Sequence, residues 1–150
     1  MREIEFRAKI FNTSEWVCGF LIQALDIANK PIKSCIIKNI SSVSYNGKVV
    51  QDYFQIDLKT LGQYTGLKDK NGTKIFEGDI VKACSKSTNR SDRYCLVFDE
   101  TRLHFGFRVA RHGYFYNIDE LLNEELGDEI DFEVIGNIYD NPDLLEVGDV

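Results

Sequence analysis

The amino-acid sequence predicts a mainly β protein, a β-rich α+β chain with one helix. Three observations carry this expectation. Apolar and polar residues alternate with period two in several short runs, Asn-Gly and other Gly-containing steps punctuate those runs, and only one segment spaces its apolar residues as a helix would.

Ile4, Phe6, Ala8 and Ile10 alternate with Glu3, Glu5, Arg7 and Lys9, which predicts a strand with one face in the core and one in water. Asn12-Thr13-Ser14 supplies turn chemistry, and Trp16 to Ile22 resumes as an apolar strand, so the two runs read as a hairpin. Lys30-Pro31 breaks the chain. A third strand is expected over Ser34 to Ile40 and a fourth over Val49 to Ile56, joined through Tyr45-Asn46-Gly47. Residues 1–60 therefore read as an N-terminal antiparallel β unit, and Leu58 to Leu67, where alternation lapses around Gly62 and Gly66, reads as a connector.

Residues 61–150 read as a second unit, with one continuous domain as the alternative. Lys68 to Gly72 is a tight turn, since Asn-Gly favours the positive backbone angles of a type I′ loop. Ile75 to Ala83 follows, interrupted at Gly78-Asp79, and Ser85 to Asp92 is expected as a loop. Tyr94 to Phe98, Leu103 to Val109 and Tyr114 to Ile118 form a meander, with His104 on the non-core face of its middle strand. Gly-Asp ahead of Ile80-Val81 resembles the start of a strand in small SH3-like barrels, so the second unit is expected as such a barrel or as a meander carrying one helix. That helix is expected near 118–126: Ile118, Leu121, Leu122 and Leu126 share a face, Asn117 caps it, and Asp119 and Glu120 sit in its first turn. Phe132 to Tyr139 is a last strand, after which Asn141 caps a short turn begun by Pro142, and Val147 to Val150 is expected to fray. The expected core of this unit draws on Leu67, Ile75, Ile80, Val81, Leu96, Phe98, Phe105, Phe107, Val109, Leu122, Ile135 and Ile138.

Charge is segregated along the chain. Residues 119–150 hold twelve acids and no Lys or Arg, whereas residues 80–118 hold seven Lys or Arg against three acids, within a net charge of −6. Two neighbouring segments of opposite sign are expected to lie together and partly neutralise each other. Without an apolar signal-peptide core or a membrane-length apolar run, the chain reads as cytoplasmic. Cys18, Cys35, Cys84 and Cys95 lack CxxC pairing and read as reduced thiols, and no cofactor or metal is expected.

The segment 62–82, GQYTGLKDKNGTKIFEGDIVK, together with the opening MREIEFRA and the closing FEVIGNIYDNPDLLE, resembles the YopX-like family of phage and prophage proteins. The resemblance implies a phage setting and a mainly β fold, and it transfers no catalytic residue. It marks Gly62, Tyr64, Thr65, Gly66, Leu67, Asp69, Asn71, Gly72, Gly78, Asp79, Gly136, Asn137, Asn141 and Pro142 as family motif, read here as structural because turns require Asp, Asn and Gly. Asp69, Glu77 and Asp79 are also weighed as a divalent-cation site, but their spacing does not continue a calcium loop.

Two surfaces are candidates for binding. Arg102, Arg108, Arg111 and His112 with Tyr114 and Tyr116 mix cations and aromatics in a way that suits stacked bases and phosphates, although a pI near 4.9 argues against it. Glu124, Glu125, Asp128, Glu129 and Asp131 form an acidic surface for a basic partner. His104 and His112 lie in no motif that supplies a nucleophile, and the chain holds no phosphate loop or nucleophile elbow. The expected function is a phage accessory protein acting without catalysis through contacts with a host or phage protein, homo-oligomerisation being compatible. A nucleic-acid or nucleotide-binding module is the alternative, and an enzyme the third.

Overall fold

The computed structural model describes residues 3–28, 31–43, 49–86, 88, 90–109, 113–118 and 130–146. Contacts divide the chain into two compact units, Met1–Tyr64 and Thr65–Val150. Among the described residues, no helix is long and apolar enough to cross a membrane.

In the first unit, strands β1 (Phe6–Lys9), β2 (Trp16–Leu25), β3 (Pro31–Val43) and β4 (Val49–Gln55) are antiparallel neighbours in sequence order. Asn12, at φ 61, makes the turn into β2, a conformation Asn tolerates because its short side chain bonds locally. On one face of the sheet Ala8, Val17 and Ile36 are buried with Ile56, and Phe6, Leu21 and Phe54 pack against them. An isolated bridge, Ile10↔Ile56, ties the end of β4 to the end of β1 over this core without closing the sheet. A 3₁₀ turn, Leu58–Thr60, follows, its first turn held by Asp57 accepting from Lys59 N. The chain then enters β5 (Gly62–Lys68), whose first residues pair with β1. The expected connector is thus partly a strand. Gln63 and Tyr64 still fall on opposite faces, but Gly62, at a buried position on the Tyr64 side, and Gly66 carry no side chain and so hide the pattern in the sequence.

In the second unit the end of β5 neighbours β6 (Lys74–Phe76), and a five-stranded antiparallel sheet follows. Its order is β10 (Phe115–Asn117), β9 (His104–Val109), β8 (Ser91–Asp99), β7 (Asp79–Ser85), β11 (Ile130–Asn137). Among the described residues neither sheet closes into the SH3-like barrel, and of the two expected forms the meander is the one present: β10 and β11 stand at opposite edges. One face supplies the core, with Ile75, Val81, Ala83, Leu96, Phe107 and Phe132 buried and Tyr94, Phe105, Leu67 and Val134 packed around them. Phe107 stacks on Phe132 with ring centroids 5.2 Å apart. Phe98 was expected in this core but is 37% exposed, since it stands near the end of β8 and meets Phe105 edge-to-face.

The acidic end does contribute a strand beside the basic segment: β11 pairs with β7, placing Glu133 opposite Lys82, and Asp131 forms an ion pair with Lys86. The helix expected near 118–126 lies outside the described residues after Ile118, as do the Tyr45-Asn46-Gly47 turn and Val147 to Val150. A second 3₁₀ turn, Pro142–Leu145, begins with Pro at its first position as expected. Asn141 holds the N-cap position, as expected, but its side chain makes no capping bond there. The Asn141 Oδ1 instead accepts from Asn137 N, because the chain must fold back over Gly136 directly after β11.

Candidate functional site

The motif segments converge within the second unit. Asp69 opens the turn between β5 and β6 and is 7% exposed. Its Oδ1 accepts the backbone N–H groups of Asn71 and Thr73, both at 2.8 Å, and its Oδ2 accepts that of Val134 at 3.1 Å. Burial pushes the Asp69 carboxyl upward, but the N–H groups of Val134, Thr73 and Asn71 outweigh it and hold the group below its ordinary value. Asp79, 1% exposed, does the same for the β6–β7 turn, accepting Phe76 N at 2.8 Å. Gly78 takes φ +84 at that turn, accepts Ile138 N and donates to Leu96 O. A Cβ at Gly136 would come within 2.5 Å of the Asn141 Oδ1. Asn137 closes the turn after β11 by accepting Tyr139 N and Asp140 N.

These contacts give Asp69 and Asp79 a structural role, each accepting backbone N–H from its own turn. Among the described residues, no three His, Cys, Asp or Glu side chains gather as a metal site. Thr65 contributes likewise, its hydroxyl donating to Ile75 O at 2.8 Å, and Gly66 and Gly72 take the positive φ angles that the bend and turn require.

The second candidate surface is partly assembled. On the non-core face of the meander, Arg108 on β9 lies across from Cys95 on one side and Phe115 on the other. The Phe115 ring lies over Gly106, His104 is 5.6 Å from it, and the Arg102 guanidinium stands 5.3 Å above it. Arg102 is also ion-paired to Asp99 at 2.6 Å. The backbone N–H of Arg102 chiefly holds the Asp99 carboxyl below its ordinary value. His104 Nδ1 lies 3.0 Å from its neighbour's carbonyl, Phe105 O. Tyr114 is exposed and Tyr116 borders the core face, so the two tyrosines do not share the Arg108 face. Arg111 and His112 lie outside the described residues, as do Glu124, Glu125, Asp128 and Glu129 of the acidic surface, which leaves Asp131 of that set in view. No disulfide joins Cys18, Cys35, Cys84 and Cys95, and burial pushes the Cys95 thiol up to about 11, against the pull of Arg108.

The sequence matches the YopX protein family over residues 5–146, almost the whole chain. This chain belongs to the YopX protein family. The chain is also similar to a solved structure. The crystal structure of protein EF1440 from Enterococcus faecalis is 26% identical, with a TM-score of 0.56, over 97% of this chain and 100% of that one. A comparison with curated proteins gives no match.

A further surface of this YopX chain was not singled out from sequence. On the first unit's outer face, Phe20, Ile22 and Tyr53 are 59%, 51% and 62% exposed, with Phe20 and Tyr53 on either side of the buried Ile37. Lys33 stands over the Tyr53 ring at 5.9 Å. The signal was present in Trp16 to Ile22, which is apolar at both alternate sets of positions and so offers apolar side chains to both faces of its strand.

Proposed function

We propose that this YopX protein is a phage-associated accessory module that acts without catalysis, through contacts with a host or phage protein in the host cytoplasm. The exposed Phe20, Ile22 and Tyr53 carry this reading, because large apolar side chains grouped on one exposed sheet face mark a contact site. The turn-locking roles of Asp69 and Asp79 support it further, since they take the motif acids away from chemistry. Family membership fits a phage-associated protein.

The test is affinity purification of the tagged protein from phage-infected cells, with and without nuclease. A stoichiometric protein partner that survives nuclease supports the proposal. Charge reversal at Asp128, Glu129 and Asp131 asks whether the acidic surface takes part. A second reading, nucleic-acid or nucleotide binding, draws on Arg102, His104, Arg108 and Phe115 sharing one face. Nucleic acid recovered without a protein partner, with affinity falling steeply as salt rises, favours that reading over the first.

A further inference from the structure

The edges of the two sheets are treated differently. Strands β6 and β10 are only three residues long. The long edge of β11 is covered, because Lys70 N donates to Phe132 O and Val134 N donates to Asp69 Oδ2. Short or covered edges resist pairing with other chains. Among the described residues strand β4 has less of either protection: it runs for seven residues, Val49–Gln55, carries no Lys, Arg or Pro, and is met on its outer side at its C-terminal end alone.

Backbone geometry shows which of its groups face outward. Ile56 N donates to Ser34 O on β3, while Gln55 O accepts Phe11 N from the other side. The N–H and C=O of one strand residue point the same way, and the direction alternates along the strand. Tyr53 therefore directs its backbone groups to the outer edge. Among the described residues, another segment meets that edge only at Gln55 and Ile56.

Beside this edge, the outer face offers Phe20, Ile22, Tyr53, Gln55 and Lys33. Of the two acids in residues 16–56, Asp26 follows β2 and Asp52 alternates with Tyr53, whereas the same segment holds four lysines. This part of the chain is thus positive although the whole is at −6. A cavity of about 160 Å³ lined by Phe11, Lys33, Gln55, Asp57 and Leu58 adjoins the end of β4.

We propose that β4 receives an extended, acidic polypeptide segment as an added strand. Its backbone pairs with the outward groups of Tyr53, its alternate apolar side chains cover Tyr53 and the adjoining cavity, and its acids meet Lys33. A ladder edge open at Tyr53 and the aliphatic Ile22 fit a polypeptide better than a nucleic acid, which has no backbone amides to pair. The proposal deepens the interaction function above and rests on it.

The probe is a fluorescent ten-residue peptide alternating Glu with Val and Tyr, with its Glu-to-Lys counterpart and a single-stranded oligothymidine as competitors. Expected results are saturable binding of the acidic peptide alone and slowed hydrogen exchange at the Tyr53 amide. Lys33→Glu should weaken binding about threefold to tenfold. Tyr53→Pro should abolish it, with circular dichroism checking the fold of both variants. Absence of saturable binding, binding unchanged in Lys33→Glu, preference for oligothymidine, or a concentration-dependent dimer lost in Tyr53→Pro overturns the proposal. A partner purified from infected cells that still binds Tyr53→Pro overturns the β4 assignment alone, while recovery of no protein partner overturns the parent function.

Discussion

The carboxylate of Asp69 accepts the backbone N–H of Val134 at 3.1 Å across 65 residues of sequence. The same side chain organises its own turn through Asn71 and Thr73, and Lys70 N adds a bond to Phe132 O. A salt bridge of 2.7 Å between Lys70 and Glu133 lies beside them. One residue thus closes a hairpin and covers the edge of β11.

Asp69→Ala leaves three backbone N–H groups without their acceptor, two in the turn and one on the strand edge. The expected loss is about 3 kcal/mol, since unsatisfied buried donors cost more than the bonds were worth. Asp69→Asn should cost less, because it keeps one oxygen for Asn71 and Thr73 but turns an amide donor toward Val134 N–H. Urea unfolding of the three proteins measures the series, and equal midpoints would remove Asp69 from its bridging role.

Acid should weaken the fold through Asp69 and Asp99, whose carboxyls both lie below their ordinary value. A folded-state pKa below the unfolded one stabilises fully above the unfolded value, near 3.9, and the stabilisation disappears as pH falls through the folded value. Stability should accordingly be flat through neutral pH from these groups and decline below about pH 4. Urea midpoints between pH 7 and pH 2.5 test this, and the decline should be shallower in Asp69→Asn.

Gly106→Ala brings a Cβ onto the Phe115 ring. The ring must swing away from β9, losing its packing against His104 and Arg102. A destabilisation of about 1–3 kcal/mol is expected. The double variant Gly106→Ala with Phe115→Ala should show less than the sum of the two single effects, and strict additivity in thermal unfolding would exclude the contact as the cause.

Phe107 is fully buried and stacked on Phe132, so Phe107→Ala should cost about 3–5 kcal/mol through lost burial and the cavity it leaves. Phe98→Ala, at a position 37% exposed, should cost clearly less. Denaturant titration ranks the pair, and a reversed order would misplace the core.

Thiol labelling near pH 8 should separate the cysteines. Cys95 is buried, with its thiol pushed up to about 11, so it reacts only as the chain opens. Cys18, Cys35 and Cys84 are half-buried and should react first. Mass spectrometry after brief alkylation reads the order, and early modification of Cys95 would contradict its burial.

Much of this molecule follows from short-range pattern. Period-two alternation located β1 and the meander, Asn71-Gly72 located a turn, and Ile75, Val81, Leu96 and Phe107 were legible as core because their neighbours are polar or lie on the opposite strand face. The motif residues were legible as turn formers for the same reason, since φ and local bonding are properties of a few adjacent residues. Long-range pairing was not. The reach of Asp69 to Val134, the return of Asn141 to Asn137 and the opening of the expected barrel into a sheet edged by β10 and β11 depend on strand partners and register far apart in sequence. The exposed Phe20, Ile22 and Tyr53 belong with these. An apolar run can supply side chains to both faces of its strand, and only the packing of Ala8, Val17, Ile36 and Ile56 decides which face becomes the core.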